Sequence, residues 1–236
     1  MPRTSAAPLA SPADIAGIHA EIRQDIVLLR MRPGQRLSEN TLASRFGISR
    51  TPVRAALIRL IDEGLIDVLP QRGTFVSRIS LGAVRRARFV RRALEIAIVR
   101  RAAEVGMPTA ARTAIADAIQ RQEAASREAH GVADQATAER FTKADDDFHR
   151  AFAEGIGLAD VWAVVEREKS QFDRIRFLSL SQATPMPVLI AQHRAIFAAV
   201  AAGNPAEAEA AIGTHMDEVL KVASGLASSH PDLFAP

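Results

Sequence analysis

The chain has 236 residues, 48% hydrophobic and 24% charged, enough to bury a sizeable core without cross-links. It contains no cysteine, which excludes disulfides, thiol nucleophiles and thiolate metal sites and fits a reducing compartment. The net charge of +3 is unevenly placed: up to residue 80 there are 11 Arg against 7 Asp and Glu, while the remainder carries 19 basic and 20 acidic residues, so the first third suits a polyanion partner.

Residues 1–12 hold Arg3 but no apolar stretch of the signal-peptide kind, and read as a disordered lead-in. No apolar run approaches the ~18 residues of a membrane span, so a cytoplasmic location without a membrane partner is expected. Ile15, Ile18, Ile22, Ile26 and Leu29 recur at three- and four-residue steps and predict a first helix, stopped by Arg32-Pro33-Gly34. Ser38 is the expected N-cap of a short second helix that turns Leu42 and Phe46 inward. Gly47 breaks the chain, and a third helix is expected to start at Ser49 or Thr51. Pro52 is tolerated in its first turn, and Val53, Leu57, Leu60, Ile61 and Leu65 supply its buried side. Two short β-prone runs, 66–69 and 74–77, surround a Pro/Gly turn and predict a hairpin.

That order is the order of a winged helix-turn-helix. From Ser80 onward about six amphipathic helices and no strand are expected, with breaks at residues 106–108, 130–131, 155–157, 183–187 and 203–205. The fold class is therefore mainly α: a winged helix-turn-helix over 13–79, an all-helical bundle over 80–230, and a tail over 231–236.

A recognition helix lays its early residues in the major groove, where Arg donates two bonds to guanine. Arg50 and Arg54 are four apart at the start of the third helix, flanked by Ser49 and Thr51 as phosphate contacts. Arg45 ends the preceding helix, and Gln71, Arg72 and Gly73 form the hairpin tip, where Gly73 lets backbone approach a groove. A single such Arg is ordinarily a solvated surface charge; a convergent set on one helix-turn-helix face is not so readily explained. Residues 15–78 resemble the winged domain of the GntR family of bacterial regulators. The resemblance rests on Pro33-Gly34-Gln35-Arg36-Leu37, the run from Leu42 through Ser49-Arg50-Thr51-Pro52-Val53-Arg54, and Gln71-Arg72-Gly73-Thr74-Phe75-Val76. It implies that Arg50 and Arg54 touch operator bases or phosphates and that Arg72-Gly73 enters the minor groove.

In the second part, Asp145 and His149 are four apart on one helix face, and His193 and His215 each lie 11 residues from Asn204 in a helical turn. Equal distance from the turn puts the two His residues at the same depth of an antiparallel pair, about 16 Å along each helix at ~1.5 Å per residue. One carboxylate and three imidazoles suit Zn, Ni, Fe or Mn, with positions left for a ligand oxygen. His19, His130 and His230 fit no such pattern. Most of residues 80–228 resembles the all-helical FCD domain, and the Asp-x-x-x-His pair followed by two later His residues resembles its metal-bearing members. Arg91 and Glu95 match an Arg-x-x-x-Glu position of that domain. Arg91 is then a clamp for an effector carboxylate, with Arg92, Arg174 and Arg176 as alternatives and a surface Arg–Glu pair as the plain reading.

These resemblances imply a transcription regulator, not an enzyme: a repressor binding double-stranded operator DNA as a homodimer and sensing a small organic acid. Two other readings stand beside it, a helical metalloenzyme joined to a DNA-binding module and a regulator whose second domain only dimerises. Against the enzyme, the sequence has no His-Glu-x-x-His, no paired Glu-x-x-His and no Ser/His/Asp order.

Overall fold

The computed structural model describes residues 12–129 and 133–236; the lead-in up to residue 11 and the break expected at 130–131 lie outside them. The chain divides into two compact units, residues up to Ile79 together with Asp232–Pro236, and Ser80–Pro231.

In the first unit, the stripe of Ile18, Ile22 and Ile26 buries one face of α1 (Pro12–Val27). The helix ends short of Leu29, which takes a left-handed φ of 57° while Met31 N–H returns to the Asp25 carbonyl at 3.0 Å. Ser38 caps α2 (Glu39–Phe46), its hydroxyl accepting from Thr41 N–H, and Gly47 closes that helix with a φ of 66° that an L side chain rarely adopts. α3 (Arg50–Asp62) starts on Ser49, whose hydroxyl makes no capping bond. Val53, Ala56 and Leu60 are wholly buried against Ile22, Ile26 and Leu65, forming the unit's core.

The wing holds one more strand than the sequence predicts. β1 (Arg36–Leu37) pairs antiparallel with β3 (Gly73–Val76), which also pairs with β2 (Ile66–Leu69), giving the order β1-β3-β2. Gln71 turns between β2 and β3 at a φ of 59°, and at Gly73 a Cβ would meet Arg36 Nε at 3.2 Å. Residues 232–236 do not trail. Ile79 N–H donates to the Leu233 carbonyl and Ala235 N–H to the Ile79 carbonyl, both at 2.9 Å, and Leu233 and Phe234 are buried.

The second unit contains α4 (Leu81–Val105), α5 (Thr109–Glu128), α6 (Gln135–Gly155), α7 (Ala159–Glu168), α8 (Ser170–Leu180), α9 (Met186–Ala201) and α10 (Pro205–Ser229). That makes seven helices among the described residues, one more than the breakers predict. The extra joint lies at Lys169, where no Gly or Pro stands. Every residue of α8 is buried although the helix carries Asp173, Arg174 and Arg176. Such a helix is tolerated inside only if its charges are paired: Lys169 Nζ lies 2.8 Å from Asp146 and 2.9 Å from Asp173, and Arg176 reaches Asp145, Asp146 and Asp173. Among the described residues no helix is long and apolar enough to cross a membrane.

Candidate nucleic-acid interface and metal centre

The residues expected to contact DNA are placed unequally. Arg50, Thr51 and Arg54 are exposed on the first turns of α3, and Gln71 and Arg72 are exposed at the tip of the wing. Arg54 is held by two parallel bonds to Glu39 of α2, each 2.9 Å, and this contact keeps the Glu39 carboxyl below its usual range. Arg45 is tied back to α1, 2.6 Å from both Asp25 and Glu21. Its guanidinium braces α2 against α1, a structural duty that the sequence alone did not separate from DNA contact.

The second cluster is assembled from six helices. α6 presents Asp145 and His149, α9 His193 and α10 His215, all buried, and one ligand atom from each lies within 4.8 Å of the others. Each imidazole is tied at Nδ1: His149 to Glu95 Oε2 of α4 at 2.6 Å, His193 to Gln122 Oε1 of α5 at 2.7 Å, and His215 to Gln192 Oε1 of α9 at 2.9 Å. Glu95 can only accept there. Burial pushes its carboxyl up, but Arg91 and His149 together hold it well below the usual carboxylate range. α8 supplies Arg176, whose guanidinium bonds Asp145 Oδ2.

The three Nε2 atoms therefore point inward with Asp145. His193 Nε2 lies 3.2 Å from His215 Nε2 and 3.4 Å from Asp145 Oδ1, and His149 Nε2 is buried without a hydrogen-bond partner, 3.8 Å from Asp145 Oδ2. Burial, reinforced by repulsion from neighbouring His and Arg groups, keeps His193 and His215 well below the ordinary imidazole range, so both are neutral at physiological pH. Neutral rings whose Nδ1 atoms donate have bare lone pairs at Nε2. Lone pairs converging on a carboxylate in a water-poor interior are unfavourable unless a cation stands among them, and imidazole with carboxylate is a donor set for a borderline divalent metal. The residues fit such an ion.

Beside this cluster is a cavity of about 30 Å³ lined by Arg91, Asp145, Arg176, Ser179, His215 and Glu218. Arg91 and Glu95 do form an i,i+4 pair, at 2.7 Å, but it is buried, not the surface pair of the plain reading. Arg91 Nη2 has no hydrogen-bond partner, while its guanidinium carbon sits 4.7 Å from the centroid of Phe172. Arg176 lines the cavity as well; Arg92 and Arg174 do not. Glu95, Gln122 and Gln192 were missed as partners of the imidazoles. One trace of Gln122 is present in the sequence: it interrupts the buried stripe Ile115, Ala118, Ile119, Ala125 of α5, where a polar side chain needs a partner. Of the remaining histidines described, His19 bonds Glu63 and His230 bonds Gln182.

The comparisons with known proteins agree with this architecture. The family described as "Bacterial regulatory proteins, gntR family" matches residues 15–76, and the FCD domain matches residues 87–218. The chain is 33% identical over 218 residues to the HTH-type transcriptional repressor RspR of Escherichia coli K12, covering 92% of each chain. It is 36% identical to an HTH-type transcriptional regulator in an unstable DNA locus of Streptomyces ambofaciens, covering 92% of this chain and 88% of the relative. Among solved structures, E. coli McbR/YncC shares the fold with a TM-score of 0.75 at 17% identity, covering 91% of this chain and 97% of that one. The relatives are regulators, not enzymes, and a winged head and a helical second unit that match the two domains over most of the chain leave one assignment: the chain belongs to the GntR family of DNA-binding transcriptional regulators and carries an FCD domain.

Proposed function

We propose that the protein is a repressor that binds two inverted operator half-sites as a homodimer and senses a small carboxylate through a divalent metal held by Asp145, His149, His193 and His215. The observation that carries the sensing half is the convergence of three buried imidazole Nε2 atoms on Asp145, next to an Arg91 Nη2 with no hydrogen-bond partner. A bound divalent ion supplies a Lewis-acidic centre for a carboxylate oxygen. Arg91 then holds the effector's negative end, its guanidinium already fixed by Glu95 and Phe172. The cavity has room for a water or two, against the hundreds of Å³ common in ligand pockets, which favours a small acid or a site that opens on binding. Closing helices around the acid has to favour one dimer geometry by ~1–3 kcal/mol to release the operator.

In the head, Arg50 and Arg54 read bases, Ser49 and Thr51 contact phosphates, and Gln71, Arg72 and Gly73 enter the minor groove; Arg45 braces α2. Arg50→Ala and Arg54→Ala should each cost ~1–3 kcal/mol in operator binding, measured by titration of labelled operator, and Arg72→Ala should cost less sequence preference. An Arg50/Arg54 double variant that still discriminates the operator would refute the reading head. His193→Ala and His215→Ala should lose bound metal by elemental analysis and lose the effector response. Full metal stoichiometry in the folded variants would refute the site, and metal loss with a normal response would reduce the metal to a staple.

A further inference from the structure

Of the three imidazoles, His149 has its Nδ1 on a carboxylate, whereas His193 and His215 have theirs on primary amides. An amide carries both a donor and an acceptor, so taken alone it selects no tautomer for the ring it meets. Here each amide is oriented from behind by a group that only accepts. Gln122 is wholly buried, and its Nε2 donates to the Ala144 carbonyl at 3.3 Å, the residue before Asp145. Gln192 Nε2 donates to Glu218 Oε2 at 2.8 Å, an oxygen that also accepts from Lys221 Nζ at 2.7 Å. The Lys221 contact holds Glu218 below the usual carboxylate range, so Glu218 is ionised and has no proton to give. With both NH2 groups committed, both Oε1 atoms face the rings and both Nδ1 atoms must carry the proton. Imidazole in water favours the other tautomer, with the proton on Nε2, where it would block a metal.

We infer that Gln122 and Gln192 are positioning residues of the metal centre, holding His193 and His215 in the tautomer whose lone pair faces Asp145 and His149. The inference rests on the metal reading above. α9 then contributes two adjacent residues with separate duties, Gln192 orienting the ligand on α10 and His193 serving as a ligand itself. Outer partners of this kind commonly change metal affinity 10–100-fold.

The test uses the full-length protein with Gln122→Leu and Gln192→Leu. In metal-free wild type, long-range proton–nitrogen correlation spectra should show His149, His193 and His215 all protonated at Nδ1. Gln122→Leu should move His193 alone toward Nε2–H, and Gln192→Leu His215 alone. Each should weaken Ni²⁺ binding about 10–100-fold in chelator competition, with circular dichroism matching wild type. Gln192 is only partly buried, so its variant carries the test if Gln122→Leu disturbs the core. A wild-type protein that takes up no Ni²⁺ overturns the metal reading and this inference with it. A wild type that binds Ni²⁺, with both variants binding equally tightly or keeping their tautomers, overturns the positioning role alone.

Discussion

Under the proposed reading, Arg54 offers the same guanidinium to two partners, Glu39 in the free protein and a base edge in the complex. The two 2.9 Å bonds to Glu39 are exposed, so they add little stability, but they hold a flexible side chain in one orientation at the front of α3. Arg50, also exposed, has no such clamp. Glu39→Ala removes one negative charge from the DNA-facing side and frees Arg54. Binding to random DNA should tighten and the salt slope should steepen by about one, because one more cation is available to phosphates. Discrimination between operator and a half-site mutant should shrink as Arg54 loses its orientation. Titrations of both DNAs at three salt concentrations measure this, and unchanged discrimination would leave Glu39 a bystander.

At the scale of elements, the joint between α7 and α8 is made by charge, not by a helix breaker. Lys169, almost fully buried, ends α7 and bridges Asp146 on α6 to Asp173 on α8. Removing one partner of a buried pair leaves uncompensated charge, so Lys169→Met should cost about 3–5 kcal/mol in stability, read as a lower urea midpoint at unchanged slope. The same joint shows why some elements are legible in a sequence and others are not. α1 to α3 are punctuated by Pro33-Gly34, Ser38 and Gly47, where apolar periodicity and backbone chemistry change together. Lys169 marks a turn only through partners 23 residues back and four ahead, and β1 is two residues long, too short for any alternation to register. The Asp/His cluster follows the same rule. Helical spacing and the symmetry about Asn204 are enough to single out Asp145, His149, His193 and His215, whereas Gln122, Gln192 and Arg176 meet them only through the packing of separate helices.

At the scale of the whole molecule, the last five residues belong to the first unit. Burying a large apolar side chain contributes about 1.5–3 kcal/mol, so Leu233 and Phe234 together are a large share of what a small winged unit has to spare. Truncation after Pro231 should lower the melting temperature of that unit and its DNA affinity, while the second unit keeps its own transition in calorimetry; a single unchanged transition would show the segment to be dispensable. Topologically, then, the helical unit is an insertion inside the winged unit, entered after Ile79 and left before Asp232. A chimera that keeps the head to residue 79 and appends a foreign sensor would inherit a head missing its final piece. A graft that splices the sensor between Ile79 and Asp232 keeps the head whole, and the same logic directs affinity tags toward the N-terminal end of the chain.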